Sequence, residues 1–325
     1  MKLRRRAFLY FMTTVATFSG AVELSWGQSY PSHPVRIVIG FAAGGAPDIA
    51  ARLVAHALSE RLGQQFIVEN QPGAGSNIAT RAVLDAPADG YALLLVTTAN
   101  AANATLYERL NFNFIRDAVP VASISHENYG MEVNPAFPAK TVPEFISYAK
   151  ANPGKLNMAS PGNGSGPHLA GELFKLMAGV DMVHVAYRAS PPALTDLIGG
   201  QVQVMFSPLS SSIEYVKSGK LRALALTSAI HSQALPDLPT VGDFVPGYEA
   251  SGWFGLCVTK GTSDAIINKL NIEINASLAD PKLQTQFASL GSAVFIGSPA
   301  DFGKHIVEET EKWGKVIRTA GIKAD

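Results

Sequence analysis

Two glycine-rich loops, each set between an apolar strand and a helix, constrain this chain more than any other feature. The first, Gly40-Phe41-Ala42-Ala43-Gly44-Gly45-Ala46-Pro47-Asp48, follows the strand Val35–Ile39 and opens a helix running from Pro47 to Leu62. The second, Ser160-Pro161-Gly162-Asn163-Gly164-Ser165-Gly166-Pro167-His168, follows Leu156–Ala159 and opens a helix from Pro167 to Ala178. A helix N-terminus presents unpaired N–H groups and a partial positive charge. Glycine lets a ligand approach that backbone closely. Two such loops, far apart in sequence, suggest an anion held between two lobes.

The rest of the chain alternates strand and helix signals. Strands are expected at Val35–Ile39, Phe66–Glu69, Tyr91–Thr97, Val119–Ile124, Met131–Val133 and Leu156–Ala159. Further ones are expected at Met182–Ala186, Val202–Phe206, Leu221–Leu226, Trp253–Val258 and Val294–Ile296. Several are unbroken apolar runs, the pattern of parallel strands covered on both faces. Helix one stops at Gly63, Thr141-Val142-Pro143-Glu144 is a capping box, and Ser298-Pro299-Ala300-Asp301 opens the last long helix. With 325 residues, 47% hydrophobic and 16% charged, the chain suits two α/β lobes. Doubly wound sheets bind ligands beyond the carboxyl ends of their strands, where both loops sit. Residues 28–125 plus 248–325 are expected to form lobe 1 and residues 126–247 lobe 2. The crossings are then Ser125–Met131 and Pro246–Ser251.

The first 27 residues read as an export signal. Lys2, Arg4, Arg5 and Arg6 precede an apolar stretch, Ala7 to Ala21, and small residues at Ser25 and Gly27 mark cleavage before Gln28. Arg5-Arg6-Ala7-Phe8-Leu9 resembles a twin-arginine signal, with Arg4 where Ser or Thr is usual. An ordinary Sec signal with an extra arginine is the alternative. Formal net charge is zero, and no basic run lies beyond the N-terminus. That argues against nucleic acid as a partner. Cys257 is the single cysteine, in an apolar run, so no intramolecular disulfide forms. The seven histidines show no metal-ligand spacing, no P-loop ending follows the first glycine loop, and no G-x-S-x-G elbow occurs. No metal, cofactor or catalytic residue is therefore expected.

An ordered set of motifs carries a family resemblance. Tyr30-Pro31-Ser32-His33-Pro34-Val35-Arg36-Ile37-Val38 leads into Phe41-Ala42-Ala43-Gly44-Gly45 and Asp48. Val68-Glu69-Asn70-Gln71-Pro72-Gly73-Ala74-Gly75 and Pro87-Ala88-Asp89-Gly90-Tyr91 follow. Then come Tyr148–Leu156, His168–Phe174, Gly219–Ala225 and Leu238-Pro239-Thr240-Val241. In this order, along the whole mature chain, they resemble the periplasmic substrate-binding proteins of tripartite tricarboxylate transporters, the Bug family. The resemblance implies two lobes of the type II periplasmic-binding-protein fold, joined by a hinge. A cleft between them closes on a small carboxylate, gripped by backbone amides, hydroxyls and water. It implies a monomeric periplasmic receptor whose partners are membrane transporter subunits, or a sensor kinase.

Candidate ligand-binding residues follow from loops and resemblance together. Phe41, Ala42, Gly44 and Gly45 form the first cradle, with Asp48 in the first helical turn as a cap or a holder of water. Thr97, Thr98 and Asn100, at a strand's carboxyl end, can hydrogen-bond to an anion or cap the next helix. Ser160, Asn163, Gly164 and Ser165 form the second cradle, with His168 behind it. Tyr187, Arg188, Phe206 and Ser207 end two further strands, and Arg188 is the obvious charge partner. Two departures from the family pattern stand out: Ala189 where glycine is usual, and Ser207 where an acid is common. A hydrolase using Ser165 with His168 is the enzymatic alternative, and a ligand sensor without a transporter is a third reading.

Overall fold

The computed structural model describes residues 30–229 and 231–324. The export signal at 1–27 lies outside them. The chain divides into a leading unit, Met1–Tyr30, and a large unit, Pro31–Asp325, which holds the fold.

Its elements run in order β1 (Val35–Ile39), α1 (Ala46–Leu62), β2 (Phe66–Asn70), α2 (Asn77–Leu84), β3 (Ala92–Thr97), α3 (Thr98–Leu106), α4 (Phe114–Asp117) and β4 (Ala118–Glu127). Then come β5 (Tyr129–Val133), α5 (Val142–Ala151), β6 (Asn157–Ser160), α6 (Gly166–Ala178), β7 (Val183–Ala186), α7 (Ser190–Ile198), β8 (Val204–Pro208), α8 (Leu209–Lys217) and β9 (Arg222–Leu226). The chain closes with β10 (Gly252–Thr259), α9 (Asp264–Leu278), α10 (Pro281–Ser289), β11 (Ser292–Val294) and α11 (Pro299–Ala320).

Two sheets result, one per lobe. Their strand orders are β11-β4-β10-β3-β1-β2 and β7-β6-β8-β5-β9. Around each glycine-loop strand the pairing is parallel: β1 with β2 and β3, β6 with β7 and β8. Three strands depart from the parallel expectation; the last, β11, runs antiparallel to β4 at the sheet's edge. β10 runs antiparallel to β3 and β4, and β5 runs antiparallel to β8 and β9. Both arrive from the other sheet. A strand that has just crossed must start at the edge where the parallel strands end, so it runs against them. The first crossing is short: β4 ends at Glu127 and β5 begins at Tyr129.

The last strand lies two residues before its expected place. Ser292, Ala293 and Val294 pair with Glu127, His126 and Ser125, and the Phe295 ring stacks on His126 at 4.2 Å. Pairing with β4, rather than apolarity, sets that register.

Caps behave as the sequence suggests. Gly63 is left-handed (φ 67°) and its N–H reaches Ser59 O. Ser298 and Asp301 exchange both bonds of a capping box. At α5, Glu144 N donates to Thr141 Oγ1, but the Glu144 carboxylate turns to Lys140 N instead. α11 packs on α3, β4 and α6. Its Trp313 and Ile317 share a buried cluster with Phe145, Phe174 and Phe206 around the second sheet. Trp253 Nε1 and Trp313 Nε1 both donate to Glu309 Oε2, at 2.9 and 2.8 Å.

Candidate functional site

Four helices aim their N-termini at one cleft between the sheets. The α1 end supplies Phe41, Ala42, Gly45, Ala46 and Pro47, and the α3 end supplies Thr97 and Thr98. From the other lobe, α6 presents Ser165, Gly166 and Pro167, and α7 presents Ala189 and Ser190. Tyr129, Pro161, Pro208 and Phe254 fill the wall between them. Among the described residues, no charged side chain lines this cleft. Its positive character comes from first-turn amides and helix dipoles, which favour an anion.

The loops are held rigid from behind. Gly44 adopts φ 81°, which favours glycine, and its N–H donates to Asp48 Oδ2 at 3.0 Å. Asp48 also accepts from Arg52 Nε at 2.9 Å and from Asn70 Nδ2 at 3.1 Å. Asn70 Nδ2 donates as well to Phe41 O. Burial works to raise the Asp48 pKa. The Arg52 guanidinium, the Gly44 amide and Asn70 together outweigh it, so the carboxyl titrates below its usual range. Asp48 is thus a brace under the first cradle, off the cleft wall.

At α3, Thr97 and Asn100 form a capping box: Ala99 N donates to Thr97 Oγ1, and Thr97 N to Asn100 Oδ1. Asn100 is buried and also donates to Thr80 Oγ1. Thr98 Oγ1 is buried, with the Tyr129 hydroxyl beside it.

The second loop folds most of its polar groups inward. Ser160 Oγ lies 2.6 Å from His184 Nε2. Asn163 Nδ2 donates to Lys323 O, tying the loop to the chain's end. Gly164 N donates to His168 Nδ1 at 3.0 Å. His168 is buried, stacks on His184 at 3.7 Å and points Nε2 toward Glu172. Burial, with His168 alongside, drives the His184 pKa down to about 3, so that ring is neutral. Ser165 Oγ caps α6, accepting from His168 N while donating to Gly162 O at 2.7 Å.

This arrangement removes the hydrolase reading. His168 Nδ1 is occupied by the Gly164 amide, and Nε2 faces Glu172, so neither nitrogen is placed to take a proton from Ser165. Among the described residues there is no His/Cys/Asp/Glu grouping fit for a metal ion. Burial pushes the Cys257 thiol far up, as for an inert core residue.

The structure therefore brings Phe41, Ala42, Gly45, Thr97, Thr98 and Ser165 together on the cleft wall. Gly44, Asp48, Asn100, Ser160, Asn163, Gly164 and His168 lie behind it as supports. Tyr187 donates to Asp196 Oδ2 at 2.6 Å; burial, with that bond and charge, pushes its hydroxyl up to about 12. Arg188 is exposed beyond the wall. Phe206 packs on Phe174 in the core, and Ser207 is buried with Oγ toward Pro208 O. Sequence reasoning did not single out Tyr129, Ser190 or Phe254. Position was the available signal: Tyr129 falls within the expected first crossing, and Phe254 shortly after the second.

The model for the tripartite tricarboxylate transporter family receptor matches residues 50–322. The chain is 34% identical over 312 residues to the protein BugT of Bordetella pertussis, spanning 95% of each chain. It is similar to the solved structure of R. palustris Rpa4515 with adipate, at 35% identity and a TM-score of 0.88, covering 90% of this chain and 99% of that one. It is also similar to MatC (Rpa3494) from Rhodopseudomonas palustris with bound malate, at 29% identity and a TM-score of 0.84, covering 89% of this chain and 100% of that one.

Proposed function

The chain belongs to the tripartite tricarboxylate transporter receptor family, and from that premise we propose that it is a periplasmic receptor capturing a small carboxylate in the cleft described above. The observation that carries this reading is the meeting of four helix N-termini, two from each lobe, on a wall without charged side chains. A carboxylate there accepts hydrogen bonds from both lobes at once. It therefore favours their closed arrangement over an open one. The hinge is the single residue Asn128 between β4 and β5, with the return segment before Gly252. The closed, loaded receptor delivers its cargo to the membrane subunits of a tripartite transporter. The solved relatives with adipate and with malate support the ligand class.

A thermal-shift series tests the reading on the mature chain from Gln28. A ligand that binds only the folded state raises the melting temperature by mass action, about 2.7 kcal/mol of stabilisation at a hundredfold excess over Kd. Small carboxylates are expected to raise it and their neutral amides to leave it unchanged. Equal shifts from acid and amide would remove the anion-binding claim.

A further inference from the structure

The cleft wall also bears on which carboxylates fit. Its side-chain hydroxyls belong to Thr97, Thr98, Tyr129, Ser165 and Ser190. Two are committed to the fold: Thr97 Oγ1 accepts from Ala99 N, and Ser165 Oγ donates to Gly162 O. The Tyr129 hydroxyl is wedged between two backbones; a Cβ at Gly166 or at Gly252 would stand 2.1 Å from it. Thr98 Oγ1 is buried beside the Tyr129 hydroxyl at the first turn of α3, where a carboxylate oxygen would complete its hydrogen bonding. Ser190 opens α7 in the other lobe, a second hydroxyl at a helix start; away from these helix starts the wall is carbon, from Phe41, Phe254, Pro161 and Pro208.

Resting on the receptor reading above, we propose that this cleft selects carboxylates whose bodies carry no hydroxyl, aliphatic or aromatic acids, over hydroxy acids of the same length. The helix amides and the Thr98 and Ser190 hydroxyls, all at helix starts, satisfy the carboxylate oxygens. A hydroxyl elsewhere on the ligand leaves water for a surface of rings and methylenes. A buried polar group without a partner carries its full desolvation cost, which weakens binding about tenfold or more for each such group. An apolar body instead gains from burial against Phe41 and Phe254.

Succinate, malate and tartrate share one four-carbon frame and add hydroxyls one at a time, so titration calorimetry of the mature chain with these three isolates the variable. Adipate and benzoate extend the apolar body, and succinamide is the uncharged control. Affinity is expected to fall about tenfold per hydroxyl. Adipate or benzoate should bind at least as tightly as succinate. Malate or tartrate binding as tightly as succinate overturns the inference while leaving the receptor reading intact. Binding of succinamide equal to succinate, or no binding by any acid, overturns the receptor reading and the inference with it. Phe41→Ser places a hydroxyl in the wall and should narrow the succinate–malate gap; an unchanged gap removes Phe41 as its source.

Discussion

Tyr129 stands where the two lobes meet the cleft, and two glycines make room for its ring. Gly166 opens α6 in one lobe and Gly252 opens β10 in the other. A Cβ at either would fall 2.1 Å from the Tyr129 hydroxyl, well inside contact distance. Gly166→Ala should therefore destabilise the fold by about 1–3 kcal/mol, the usual cost of overpacking. Tyr129→Phe in the same chain removes the offending oxygen, and the next ring atom is 3.1 Å from that Cβ. Urea unfolding of the wild type, both single variants and the double variant checks this as a cycle. The double variant should recover most of the loss; failure to recover would show that the clash is not the cause. Tyr129 also shows why part of the wall was hidden in the sequence. Its neighbour Met131 reads as the start of a strand, and Phe254 reads as strand within Trp253–Val258. That the Tyr129 and Phe254 side chains border the cleft depends on strands entering from the other lobe, which no local pattern encodes. Ser160, Asn163 and His168 present the opposite case. The first two are expected in a legible cradle and His168 behind it, but turns at Gly162 (φ 138°) and Gly164 (φ 73°) fold their polar atoms inward.

The crossing from β4 to β5 is the element on which lobe motion would depend, and a buried acid closes it. Glu127 Oε1 accepts from Ser125 Oγ at 3.0 Å within its own strand. Its Oε2 accepts from Ser210 Oγ of α8, in the other lobe, at 2.8 Å, and Ser292 of β11 bonds it too. Asn128 continues the clamp: its O accepts from Leu209 N, and its Nδ2 donates to Gly291 O. Burial raises the Glu127 pKa to about 7, against the partial relief of the three serines. An acid raised in this way holds its proton more tightly in the folded chain than in the unfolded one. Its contribution to stability is therefore full below about pH 4.5 and is lost as pH rises to about 7. The loss is on the order of 3 kcal/mol at 1.36 kcal/mol per pKa unit. Glu127→Gln keeps the hydrogen bonds without the charge. Its unfolding free energy, followed from pH 4.5 to 7.5, should lack that decline relative to the wild type. Glu132, buried nearby and raised to about 8, is common to both chains and cancels in the difference. Parallel curves for the two proteins would refute the assignment. The strand–loop–helix joints around this crossing were legible because glycine and an N-terminal proline are local signals. The clamp itself was not, since Glu127, Ser210 and Ser292 are far apart in sequence and are joined only by the fold.

At the scale of the whole molecule, the two lobes repeat one five-strand arrangement, to which the first adds β11, and each offers the carboxyl ends of its parallel strands to the same cleft. They already touch at the cleft's borders. Leu106 of α3 lies against Gly164, where a Cβ would meet it at 2.3 Å, and Pro191 of α7 would stand 3.6 Å from a Cβ at Gly44. A ligand completing such an arrangement holds backbone amides on both sides, so its effect on local opening must appear in both lobes together. Hydrogen exchange read by mass spectrometry separates this from a pocket built in one lobe. With a saturating carboxylate, peptides covering 41–49 and 97–101 should exchange more slowly, and so should those covering 161–169 and 189–194. Segments far from the cleft, such as the end of α1 where Arg61 pairs with Glu273, should keep their rates. Slowing confined to the first two peptides would place the site on the first lobe alone. Closure would then have no energetic source in the ligand, because a ligand shifts an equilibrium only by its differential affinity for the two states. Slowing in all four is what the proposed capture between opposed helix N-termini requires, since donors then come from both lobes.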